Sequence, residues 1–158
     1  MSQRLAALSA LLLAPLSSQA ADMPKEGTDT YTTFYSRTAA STMKVGDRTI
    51  TTLDLSGINR NDNGGPMFHN MGVRCLGTRE AVGAEVTTRG TCEEIDKDGH
   101  QIFTTYEAKG LKGTHQFVGA TGKYTGISGT IEYTVQPIKG PDGTGLFAVT
   151  QKAVWKLP

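Results

Sequence analysis

Over residues 127–136 apolar and polar side chains alternate with period two. Ile127, Gly129, Ile131, Tyr133 and Val135 fall on one side, and Ser128, Thr130, Glu132, Thr134 and Gln136 on the other. That pattern predicts a strand with one buried face. Phe147, Val149, Ala153 and Trp155 form a matching stripe in a last strand, Leu146 to Trp155. Upstream, Thr28 to Arg37 and Arg48 to Leu55 are rich in Thr, Tyr, Ile and Leu, which suit a pleated surface. His69 to Thr78, Ala84 to Glu94, Gln101 to Ala108 and Thr114 to Val118 bring the count to eight strands, and no segment carries a convincing helical period. Turn chemistry separates them: a polar loop at Asn59-Arg60-Asn61-Asp62-Asn63-Gly64-Gly65-Pro66, and a hairpin turn at Asp96-Lys97-Asp98-Gly99. Gly119, Gly122, Gly126 and Gly129 predict a tight hairpin corner ahead of 127–136, because glycine takes positive φ without a steric cost. An open sheet of short antiparallel strands exposes two edges, and closure removes them. Eight strands is also the size at which a barrel interior is either packed or holds one small ligand. The expectation is an all-β, eight-stranded antiparallel barrel.

The N-terminus reads differently. Met1 to Arg4 is short and basic, Leu5 to Leu16 is apolar, and Ser18-Gln19-Ala20 presents small residues where a signal peptidase cuts. The apolar stretch falls short of the roughly 20 residues that span a bilayer, and Pro15 interrupts it. Residues 1–20 are therefore expected to be a signal peptide and 21–158 a single barrel domain, periplasmic or secreted. Removing the leader takes one basic residue, Arg4, and leaves 15 basic against 15 acidic side chains. A balanced surface without a basic block argues against nucleic acid, and against a membrane face once the leader is cleaved.

Two cysteines, Cys75 and Cys92, lie in the exported part, where a disulfide is favoured over free thiols. If Gly83 and Ala84 sit at a hairpin turn, Cys75 and Cys92 face each other directly across the ladder. Closing that loop contributes roughly 3 kcal/mol in the chain-entropy account. A redox-active pair would call for CxxC spacing, which is absent.

The run Phe117-Val118-Gly119-Ala120-Thr121-Gly122-Lys123-Tyr124-Thr125-Gly126-Ile127-Ser128-Gly129 resembles the Gly-Thr-Gly-Lys-Tyr-x-Gly-x-x-Gly hairpin of allene oxide cyclase and dirigent-like barrels and their secreted bacterial relatives. The resemblance implies a calycin-like antiparallel barrel with a mostly apolar cavity. That family includes isomerases and cyclases of oxylipins, proteins that steer radical coupling, and exported bacterial proteins without known activity. Its plant catalytic motifs have no residue-by-residue match in this sequence, so their chemistry does not carry over. Barrels of this type often associate through their outer faces, which puts homo-oligomers among the expected states.

Other patterns point to plain readings. Gly122-Lys123 lacks the upstream glycine and the following Ser or Thr of a phosphate loop. Asn59-x-Asn61-x-Asn63-Gly64 imitates half a calcium loop, but its first position is neutral and its twelfth is Asn70 rather than Glu, so a solvated turn is expected. His69, His100 and His115 lack paired metal-ligand spacing and default to surface or rim positions, with no metal or cofactor expected. Chemistry would need a carboxylate inside the apolar barrel, where lost hydration raises its pKa toward neutrality. Glu93, Glu107 and Glu132 are the candidates, with Tyr106, Tyr124 and Tyr133 as hydrogen-bonding partners. Glu132 lies opposite the apolar stripe, whereas Glu107 shares a face with Phe103 and would be inside if that phenylalanine is core. Tyr106 and Glu107 are thus the candidate catalytic residues. Two functions follow: a binding or interaction module holding a small apolar ligand, and a cofactor-independent isomerase or cyclase.

Overall fold

The structure, a computed structural model, describes residues 23–140 and 145–158. The expected signal peptide lies outside the described residues. Eight strands are present: β1 (Glu26–Val45), β2 (Arg48–Asn61), β3 (Gly72–Val82), β4 (Glu85–Ile95), β5 (Gln101–Lys109), β6 (Lys112–Ala120), β7 (Ser128–Pro137) and β8 (Leu146–Lys156). Each pairs antiparallel with its neighbour, and β8 returns to β1 to close the barrel. Every strand placed from the sequence is found, and the expected fold class holds.

Three expectations about the connections are corrected. β1 continues to Val45, because after a bulge at Thr38 residues 39–45 pair with Arg48–Asp54 of β2 in a hairpin whose tip, Gly46, has φ +63°. The region Asn59–Asn61 is the end of β2 rather than a solvated loop, and Asn59 and Asn61 point inward and are buried. The glycine run is not a tight corner. β6 and β7 pair only from Lys112↔Thr134 to Gln116↔Thr130, and beyond that point the chain opens into a single 3-10 turn, Gly122–Tyr124. Gly122, Gly126 and Gly129 do take positive φ, whereas Gly119 does not. Had it been tight, the turn could not have carried Tyr124 and Ile127 across the barrel end, where both are buried.

The interior divides into three layers along the barrel axis. At one end, Tyr31, Ile102, Ile131, Ala153 and Trp155 meet Tyr124 and Ile127 of the glycine connection. Met67, Phe68 and Met71 of the β2–β3 connection fill the same space, and Phe68 stacks on Tyr31 at 4.5 Å. Asn61 pins that connection by accepting from the amides of Asn63 and Gly65 and donating to the Met67 carbonyl. Asp96, at the β4–β5 turn, accepts from Lys123 at 2.7 Å and from the Tyr124 hydroxyl. Burial alone would raise the Asp96 carboxyl, but Lys123 and the backbone amides of His100 and Asp98 hold it at about 2. This end is sealed. At the other end, Tyr35, Leu55, Val73, Tyr106, Ala108, Tyr133 and Val149 form a second apolar layer. Between the two lies a polar layer made of Thr33, Asn59, Glu94, Thr104, His115 and Gln151, all buried.

Candidate functional site

The open-end layer encloses a cavity of about 710 Å³. Its walls are largely apolar or aromatic, among them Tyr35, Leu55, Tyr106, Tyr133, Phe147 and Val149, and the Cys75–Cys92 disulfide forms part of them. The disulfide is directly cross-strand, as the turn at Gly83 requires. It suits an oxidising compartment.

The rings are large enough to fill this space, yet they leave it open, and the reason lies in the register. Tyr35 stands opposite Gly57, Tyr106 opposite Gly90, and Tyr133 opposite Gly113. A Cβ added at Gly57 would sit 2.9 Å from the Tyr35 ring, one at Gly90 2.7 Å from the Tyr106 hydroxyl, and one at Gly113 2.5 Å from the Tyr133 ring. Each ring therefore lies against the barrel wall in the gap left by a cross-strand glycine, an arrangement that recovers packing otherwise lost at the glycine. Gly77, which pairs with Gly90, extends the seat of Tyr106. The Tyr106 hydroxyl is buried there with no hydrogen-bond partner among the described residues. An unpartnered buried polar group calls for an explanation, such as a ligand atom or a water.

Beneath the cavity, the polar layer is hydrogen-bonded in sequence. Tyr31 donates to Gln151 (3.2 Å), Gln151 donates to Thr33 (2.5 Å), Thr33 donates to Asn59 (2.5 Å), and Asn59 donates to Glu94 (2.7 Å). Across the barrel, the Thr104 hydroxyl pairs with His115 Nδ1 at 3.0 Å. Glu94 has only Asn59 to favour its charged form, and burial outweighs it, raising the carboxyl to about 7. Burial pushes His115 the other way, to about 4, so its imidazole is neutral at neutral pH. Tyr35 and Tyr106 are raised by burial, and Glu94 adds to the shift of Tyr35. The layer can thus exchange one proton near neutrality, at Glu94. Among the described residues no three His, Cys, Asp or Glu side chains gather as metal ligands.

Of the residues singled out from the sequence, Tyr106 and Tyr133 are inside and line the cavity. Glu107 is not: it and Phe103 both lie on the outer face, because the inward positions of β5 are Ile102, Thr104, Tyr106 and Ala108. Glu93 and Glu132 are also exposed, and Tyr124 belongs to the sealed end. His115, expected at the surface or rim, is buried in the polar layer. Glu94 was missed although its position follows from the cysteines. A cross-strand Cys92 inside the barrel places the residue two further along on the same face. Gln151 likewise interrupts the apolar stripe of β8.

No family model matches the chain, and no curated protein matches it. A solved structure does: that of the pterocarpan synthase dirigent protein GePTS1 superposes with a TM-score of 0.51 at 13% identity, over 94% of this chain and 100% of that one. The shared feature is the barrel. At that identity the likeness speaks for the dirigent-type eight-stranded architecture and leaves the chemistry to the site.

Proposed function

We propose that this is an exported barrel that holds one small, mainly apolar ligand in its open half. The observation that supports it is the cavity kept open by glycine-seated rings, whose volume of about 710 Å³ falls within the range of small-molecule sites. A filled barrel would need no such seats. The Tyr106 hydroxyl offers the ligand a polar contact that no described residue satisfies. Native mass spectrometry of the exported protein, with and without mild organic extraction, tests the reading. A discrete extra mass released by extraction is the expected result. A bare mass that stays bare when apolar compounds are added would overturn it.

A second reading, a cofactor-independent isomerase or cyclase, is favoured by Glu94. A carboxyl raised to about 7 inside a barrel that also presents tyrosine hydroxyls can take up and return a proton at neutral pH. The solved neighbour is named a pterocarpan synthase dirigent protein, and that name lends support to chemistry in a barrel of this kind. Turnover of the extracted compound that is lost in Glu94→Gln, with its binding retained, would favour this reading over simple carriage.

A further inference from the structure

Above the cavity, β1–β4 rise beyond the barrel rim as a four-stranded wall. Pairing of β1 with β8 ends at Ser36↔Leu146, whereas β1 pairs with β2 to Val45, β2 with β3 to Arg48↔Val82, and β3 with β4 to Val82↔Glu85. Alternation divides the charges of this wall between its faces. Arg48 bonds Glu80 at 2.7 Å and Arg74 bonds Asp54 at 2.8 Å, both on the outward face. On the inward face Arg37 and Arg79 line the cavity and are its charged lining residues among the described residues. Lys44 shares their side, since it lies two residues beyond Thr42, whose hydroxyl bonds that of Thr51 directly opposite. No Asp or Glu occupies an inward position of the wall, and neither Arg37 nor Arg79 is ion-paired among the described residues. The whole chain is nearly neutral, at +1, so the positive mouth reflects the placement of charges and not their number.

We infer that the ligand is an amphipathic organic anion whose apolar body lies among Tyr106, Tyr133 and Val149 and whose anionic group is held at the mouth by Arg37 and Arg79. This rests on the cavity-binding reading above and adds the charge. An apolar cavity would take a neutral compound as well. A pair of guanidinium groups at its entrance, with no carboxylate among the described lining residues to neutralise them, selects a carboxylate, sulfonate or similar head group through charge-assisted hydrogen bonds.

Fluorescence titration of the full chain, disulfide intact, with anilinonaphthalene sulfonate and with its uncharged parent phenylnaphthylamine separates the two claims. The sulfonate is expected to bind about tenfold tighter than the parent, the effect of one charge-assisted contact pair. In Arg37→Gln/Arg79→Gln that preference should collapse while the neutral dye binds unchanged, which also shows that the barrel is folded. Arg48→Gln/Arg74→Gln removes the same charge from the outward face and should leave the preference intact. Equal binding of both dyes to the unaltered protein would overturn the anion assignment and leave the cavity reading standing. So would a preference that both double variants reduce alike. If neither dye binds, the cavity reading itself is overturned.

Discussion

The two halves of the barrel are built from the same eight strands with the same alternation, yet one is filled and the other hollow. In the sealed half, Trp155 and Ile131 point inward, and two long connections deliver Met67, Phe68, Met71, Tyr124 and Ile127 across the end. In the open half three of the four connections are short, Gly46-Asp47, Gly83-Ala84 and Gly110-Leu111 joining β1 to β2, β3 to β4 and β5 to β6, while the fourth, residues 138–145 between β7 and β8, is described only at its ends, where Ile138 and Gly145 line the cavity. The described residues of these connections add no side chain to the buried open-half core, and the aromatic rings are drawn aside onto glycines. Strand count sets the diameter of such a barrel. Whether the diameter is used for packing or for a ligand is decided by the loops and by the residues opposite the rings.

The largest test of that contrast is truncation on either side of the polar layer. Ile131→Ala in the sealed half should cost about 4 kcal/mol, toward the upper end for such changes, because its neighbours cannot collapse into the gap. Leu55→Ala, which borders space already present, should cost about 2 kcal/mol. Urea unfolding of both variants measures the difference, and equal losses would mean that the open half is packed as tightly as the sealed one.

The dividing layer itself should announce its titration. Glu94 keeps its proton in the folded state up to about 7 but loses it near 4.5 when unfolded, so it lowers stability progressively as pH rises from 4.5 to 7. His115 acts in the opposite sense. Folded, it stays neutral down to about 4, while unfolded it binds a proton near 6.5, so stability rises over that interval. The two slopes oppose each other between pH 4.5 and 6.5 and should leave the unaltered protein almost flat there. Glu94→Gln removes the falling slope, and its stability should climb with pH, ending about 3 kcal/mol further above the unaltered protein at pH 8 than at pH 4. Thermal melts across that range would show it.

Smaller effects are expected from the seats. Gly113→Val forces the Tyr133 ring off the wall and into the cavity, at a cost of about 2 kcal/mol and with loss of phenylnaphthylamine binding. Tyr106→Phe removes a buried hydroxyl that no described residue satisfies, so stability should hold or rise by about 1 kcal/mol, while affinity for a ligand with a polar atom falls. A clear loss of stability in Tyr106→Phe would show that the hydroxyl already has a structural partner.

Much of this was legible in the chain. The strands, their order and the disulfide register follow from alternation and from the turn at Gly83, because the side-chain period of two leaves little freedom once one pair is fixed. The continuation of β1 past Arg37 was not, since Thr38-Ala39-Ala40-Ser41-Thr42 carries no apolar face to read. Glu107 was placed by its neighbour Phe103, and a partly exposed aromatic on an outer wall misled the face assignment. The polar layer was hidden for a related reason. Thr33, Thr104 and Gln151 are single polar residues within apolar stripes, and only the closed barrel brings them to one level.

Trp155 is the only tryptophan in the chain, and it belongs to the sealed half, its indole N–H donating to Asp29 at 2.7 Å and its ring seated on Gly27. Intrinsic emission therefore reports on one end of the molecule. A compound entering the opposite end, beyond the polar layer, should leave the indole spectrum unchanged, whereas release of the Met67–Met71 connection should shift it to the red. The protein thus carries an optical probe of its seal that is blind to its cargo, and an extrinsic dye in the cavity would supply the complementary signal.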